Sequence, residues 1–255
     1  MSKWRTTNKS RLHALINEAM DRIADEQSDL FDGYQRNARA YLDRPITGFS
    51  PGEWTHQPSL DVLTYNVLRA CVDALTSNVT LSLPLTRILP NDAKEGVQER
   101  GRNLEKLLEG VRATERHHAL ERRRVRDAVL HGHGFLKVIN DGQRPGLRHV
   151  HPSRIVVDDN ASLDGIARTI YHFDWLPRDA VEAVYGKPEA VTSAQASSGT
   201  SPITGAPSMV DRDLVRVIEA HALAPKRGDK GRRVICTTAG VLVDEPFEGE
   251  LPYSI

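Results

Sequence analysis

Helical periods first and strand periods afterwards make this 255-residue chain an α+β protein. Three observations carry that expectation. Apolar residues recur at helical spacing from Leu12 to His131; at Gly132 the texture changes to short β-branched runs divided by Gly, Pro and Asp; and a composition of 39% hydrophobic and 27% charged residues suits a chain able to bury a core. The expected arrangement is a helical N-terminal part packed on a small, mostly antiparallel sheet. Its expected divisions are 1–58, 59–132 and 133–255.

The first helix is read from Leu12, Leu15, Ile16, Ala19, Met20 and Ile23, a stripe on one face, entered after Asn8 or Ser10. A second, through Leu30, Phe31, Tyr34, Ala38, Tyr41 and Leu42, ends before Pro45, because proline disfavours helical geometry in the residue ahead of it. Residues 45–58 hold three Pro and two Gly and read as a loop. Ser59 suits the N-cap of a third helix, whose stripes Leu63, Val67, Ala70, Ala74 and Leu68, Val72, Leu75 are expected inside. VTLSLPLTRILP, around Pro84, reads as an extended edge piece. From Asn91 to His131 two consecutive charged helices follow, with a break near Ala113–Thr114.

Beyond Gly132, HGFLKVIN, LRHVHPSRIVVDD and GIARTIYHFDW are strand runs. Pro177, Val181, Val184 and Gly186 outline a short helix with the two valines on one face. Residues 189–211 are too small and polar to bury much and are expected as a mobile loop. DLVRVIEAHAL and RRVICTTAGVLVDEPF make two more strands, joined by KRGDKG. The chain stops at Leu251-Pro252-Tyr253-Ser254-Ile255, apolar and directly behind a strand pattern, and reads as interrupted.

Lys plus Arg and Asp plus Glu both number 34, so the net charge is zero. That argues against a polycation gripping nucleic acid by displacing counterions from many phosphates. No apolar run approaches the ~18 residues of a membrane span, so no membrane partner is expected. Cys71 and Cys236 read as buried thiols of a reducing compartment. GxSxG, P-loop and GxGxxG patterns are all missing, which leaves serine-hydrolase and nucleotide chemistry unsupported and no cofactor expected.

Two histidine pairs, His131 with His133 and His149 with His151, would share a side wherever the chain is extended, and together would make a four-nitrogen metal site. No carboxylate stands at a ligand spacing from them, and adjacent His117 and His118 diverge by about 100° on a helix. Asp158 and Asp159, with Glu219 and Lys137, would suit a metal-dependent nuclease or hydrolase, the alternative function, although an Asp pair closing a strand is ordinary turn chemistry. The basic run Arg122, Arg123, Arg124 and Arg126 is interleaved with Glu115, Glu121 and Asp127. Arg122 and Arg126 share a face with His118, and Arg123 aligns with Asp127 as an i, i+4 pair. Solvated or subunit-facing surface is the first expectation for this run, and contact with DNA phosphates the second.

Three stretches, in order, and a later pattern resemble one family. Asn66-Val-Leu-Arg69-Ala-Cys-Val-Asp73-Ala-Leu-Thr-Ser77 resembles the early wing helix of tailed-bacteriophage portal proteins, the head-to-tail connectors. Arg126-Asp127-Ala128-Val-Leu-His-Gly132-His-Gly134-Phe-Leu-Lys137-Val138 resembles their helix that ends in a glycine turn and enters a strand. His151-Pro152-Ser153-Arg-Ile155-Val-Val157-Asp158 resembles the strand that follows, and Pro246-Phe247-Glu-Gly249-Glu-Leu-Pro252 is similar to what precedes the portal stem. The resemblance implies a portal-wing fold and a non-enzymatic virion protein: a homo-oligomeric ring, commonly of twelve subunits, at one capsid vertex. It implies double-stranded DNA passing through the channel without sequence specificity during packaging and ejection, with terminase, adaptor or head-completion proteins and capsid proteins as partners. The family's stem, clip and crown have no counterpart in these 255 residues.

Overall fold

The structure, a computed structural model, describes residues 4, 11–42, 66–81, 87–89, 91, 94–140, 145–158, 167–192, 214–224 and 229–254. In chain order its elements are α1 (Leu12–Glu26), α2 (Ser28–Tyr41), α3 (Val67–Thr80), α4 (Glu95–Thr114), α5 (His117–His131), β1 (Phe135–Asn140), β2 (Pro145–Val150) and β3 (Ile155–Val157). There follow β4 (Thr169–Pro177), α6 (Arg178–Tyr185), α7 (Pro188–Thr192), β5 (Leu214–Ala222), β6 (Gly231–Cys236), β7 (Val241–Phe247) and β8 (Tyr253–Ser254). The fold is α+β, with a β2-β1-β8 sheet and a β3-β4-β5-β6-β7 sheet whose strand pairs are all antiparallel. The chain divides into two compact units, residues 1–38 with 153–251 and residues 39–152 with 252–255.

In the first unit the predicted stripe of α1 does what its period implies. Leu12, Ile16, Met20 and Ile23 are buried against Val156, Tyr171, Ile218, Ala220, Val234 and Cys236, which alternate onto one face of the five-stranded sheet. Trp4 is fully buried there, its indole N–H donating to the Tyr171 hydroxyl at 2.9 Å. The other face carries Val215, Val217, Ile235 and Leu242 under Val181 of α6 and Val191 of α7. Polar groups tie α1 to the sheet: Arg216 donates to Asp21 at 2.8 Å and to Asn17 at 2.7 Å, and the Asn17 amide donates to the Thr237 carbonyl at 3.1 Å.

In the second unit α3 and α4 both pack on α5, which also lies against β1 and β2. The α4–α5 link is tight, with Arg116 in the left-handed region at φ 50°. Gly132 ends α5 at φ 89°, a conformation that strains any residue with a Cβ. Two residues on, Gly134 passes so close to α5 that a Cβ would lie 2.1 Å from the Arg124 carbonyl oxygen. These two glycines turn the chain from helix into strand.

Several expectations need correcting. The predicted run LRHVHPSRIVVDD is cut by a single 3-10 turn at Pro152–Arg154 into β2 and β3, which belong to different sheets. RRVICTTAGVLVDEPF is likewise two strands, because the Thr237 hydroxyl accepts from the N–H groups of Ala239 and Gly240 and closes a turn. The break between the charged helices falls at Glu115–Arg116, just past the expected place. Val79 and Thr80, expected in the extended piece, end α3, and Arg87–Leu89 carry no regular structure. Val184 is exposed although Val181 on the same helix is buried. Of the expected loop 189–211, residues 189–192 belong to α7 and the rest lies outside the described residues, as do the loop 45–58 and Ser59.

Candidate functional site

The residues of the first resembling stretch turn out to fix α3 in place. Asn66 caps the helix, its side-chain oxygen accepting from the Arg69 N–H at 2.9 Å, while its amide donates to the carbonyls of Ala40 at 2.9 Å and Tyr41 at 3.2 Å. The Tyr41 hydroxyl donates to Asp73 at 2.8 Å, and the Arg69 guanidinium lies over the Tyr41 ring. Burial first, then the Asp73 hydrogen bond, raises the Tyr41 phenol above its ordinary value.

Held this way, α3 buries Val72, Thr76 and Thr80. A second row, Val67, Cys71, Leu75 and Val79 at i, i+4 spacing, faces outward with Leu68; the four aliphatic side chains among these are 46–58% exposed. Both apolar stripes of this helix were expected inside, and Cys71 as a buried thiol; among the described residues of those stripes only Val72 is buried, and Cys71 is exposed, while Leu63 lies outside the described residues. Cys236 is buried as expected, and burial pushes its thiol up to about 12. On α4, Leu104, Leu107 and Leu108 are also exposed. An amphipathic period shows only that a face is destined for apolar contact, not that the contact lies within the same chain.

The basic run divides. Arg124 turns back to pair with Glu121. Arg122, Arg123 and Arg126 line a recess of about 310 Å³ between α3 and α5 together with Asp73, Thr76 and Ala119. Asp127 does not answer Arg123 as its i, i+4 position led one to expect: it is buried and joined to the His149 Nε2 at 2.7 Å. A buried acceptor takes the nearest partner that β2 brings over it, which helix spacing alone does not reveal.

The histidines do not converge. The His131 and His151 rings meet edge to face at 5.1 Å, His133 leans on Phe135, and His149 is held by Asp127. Burial, with His151 the next contributor, lowers His131 to about 4, and burial lowers His133 as well. His117 is also lowered, mainly by burial, while His118 is exposed. Asp158 closes β3, its N–H donating to the Thr169 carbonyl, and Glu219 on β5 accepts from Arg233 at 2.9 Å. They stand three register steps apart along the sheet and on opposite sides of β4, about 14 Å in all. Lys137 is in the other unit, over the Tyr253 ring, and Asp159 lies outside the described residues. Among the described residues no three His, Cys, Asp or Glu side chains are placed to hold a metal ion, and no helix is long and apolar enough to cross a membrane.

Side chains used to hold geometry, beside apolar rows left on the outside, describe an α+β subunit with surface suited to a partner. The chain belongs to the phage P22-like portal protein family, whose model matches residues 20–248. That family has a structural role at the phage head-to-tail connection, as a virion component of a head-associated oligomeric assembly. Among curated proteins, none matches the chain. Trp4 and Thr76 were not singled out from sequence: one tryptophan in a polar N-terminus and one threonine in a helix carry no periodic signal of their own.

Proposed function

We propose that the chain is a subunit of a closed, dodecameric portal ring at one capsid vertex, its residues forming part of the wing. Double-stranded DNA passes through the ring without sequence specificity, inward during packaging by a terminase motor and outward at ejection. Adaptor or head-completion proteins and the capsid are its other neighbours, and it performs no catalysis. The observation that carries this reading, beside family membership, is the outward row Val67, Leu75 and Val79 on a helix whose other side is already packed. A ring needs a heterologous interface, formed by different patches of each copy, and the exposed leucines of α4 offer the second patch. Zero net charge suits a conduit, since every neutralised phosphate would add affinity that translocation must undo.

Light scattering and negative-stain imaging of the purified chain test it. Rings of one size are expected, and a Leu75→Asp, Val79→Asp double variant should leave monomers. Monomers of the parent chain at every concentration would overturn the reading.

A further inference from the structure

The recess between α3 and α5 has a feature that the interface reading does not use. Thr76 is 2% exposed and its hydroxyl has no hydrogen-bond partner, whereas Thr80, one turn further along α3, donates to the Thr76 carbonyl at 2.7 Å. An unanswered hydroxyl in a protein interior costs about 1–3 kcal/mol, so its position on the wall of a recess lined by three arginines calls for a ligand. The arginines are also unanswered: among the described residues no carboxylate pairs with Arg122, Arg123 or Arg126, and Arg122 donates to the neutral Ser77 hydroxyl at 3.4 Å. Asp73, the carboxylate in the lining, is already engaged by Tyr41 and Arg69. The lining therefore carries an excess of two positive charges.

We infer that this recess binds a phosphate group, with guanidiniums of Arg122, Arg123 and Arg126 on its oxygens and the Thr76 hydroxyl donating to one of them. A tetrahedral oxyanion offers acceptors in several directions, which suits donors converging from two helices. A planar carboxylate would be satisfied by one guanidinium fork and leave the other cations and the hydroxyl as they were. The charge also matches, since inorganic phosphate near pH 7 is a mixture of monoanion and dianion with a mean charge of about −1.5. Arg122 and Arg123 are exposed and can swing on their stems to admit the group. Free phosphate and the phosphodiester of a DNA strand share the tetrahedral geometry and anionic oxygens, the diester with a single charge, and the site does not depend on the ring forming.

Calorimetry of the full chain with sodium phosphate, against sodium chloride at equal ionic strength, tests the site. Saturable binding of phosphate is expected, weakened about tenfold or more by Arg123→Gln and severalfold by Thr76→Val. Thr76→Val should not lower the melting temperature, because it replaces an unanswered hydroxyl with a methyl of the same shape. A short DNA duplex that displaces phosphate would identify a backbone phosphodiester as the source; a duplex that leaves it in place would identify free phosphate. Phosphate acting no differently from chloride, acetate binding as tightly as phosphate, or both variants binding like the parent would overturn the assignment.

Discussion

The two units treat their apolar residues differently. In the unit of residues 1–38 and 153–251, α1 lays its whole stripe on one face of the five-stranded sheet while α6 and α7 cover valines and Leu242 on the other. In the unit of residues 39–152 and 252–255, α3 buries Val72 and shows Val67, Leu68, Leu75 and Val79, and α4 shows three leucines. Its interior joins buried Phe135, Leu136 and Val150 to polar anchors: Asn66 at the cap, Tyr41 on Asp73, and Asp127 on His149. The contrast teaches that the first unit completes a hydrophobic core within one copy, and that the second is organised by directional bonds with apolar surface to spare.

The largest test falls on the completed core. Ile218→Ala, at a fully buried position facing α1, should cost about 2–5 kcal/mol, read as a drop in the urea midpoint at unchanged slope. A loss under about 1 kcal/mol would break the comparison by showing that the sheet face is not tightly packed. Next in size is the acid response of the second unit. Burial holds His131 near 4 against an ordinary 6.5, so the folded chain binds fewer protons than the unfolded chain between those values. The contribution is complete above about pH 6.5 and is lost as pH falls through 6.5 towards 4. It amounts to at most about 3 kcal/mol, with His133 acting in the same direction. Thermal melts from pH 7.5 to 4.5 should show this slope reduced in His131→Asn, and an unchanged slope would count against it.

Legibility in the sequence follows the same division. The α1 stripe was readable because period and burial coincide there, the turn at Gly132 because of its glycines, and β4 and β5 as β-branched strand runs. The strand breaks at Pro152–Arg154 and Thr237–Gly240 were not, since each is made by a short local turn inside a run of unchanged texture. Of the candidate site, the arginine run was visible, but the loss of Arg124 to Glu121 and the role of Thr76 were not. Glu121 and Arg124 are an i, i+3 pair that helix spacing allows but does not choose over the neighbouring pairings, whereas the place of Thr76 depends on which helix lies across from α5, and no spacing within one helix encodes that. The wide apolar surface of α3 was read correctly as apolar and wrongly as internal.

The smallest effect on stability sharpens the comparison most. Val184 on α6 and Leu75 on α3 are both exposed aliphatic residues, at 73% and 53%, one in each unit. Replacing either by serine should change the stability of dilute protein by no more than about 0.5 kcal/mol, because neither side chain fills space inside its own copy. Concentration separates them. If copies associate through α3, the melting temperature of the parent rises with protein concentration, since binding to the folded state alone stabilises it by mass action. Val184→Ser should keep that rise and Leu75→Ser should flatten it. A loss of 2 kcal/mol or more from Leu75→Ser in dilute solution would mean that the side chain is packed within one copy after all. The apolar surface that distinguishes the second unit would then be closed by its own chain.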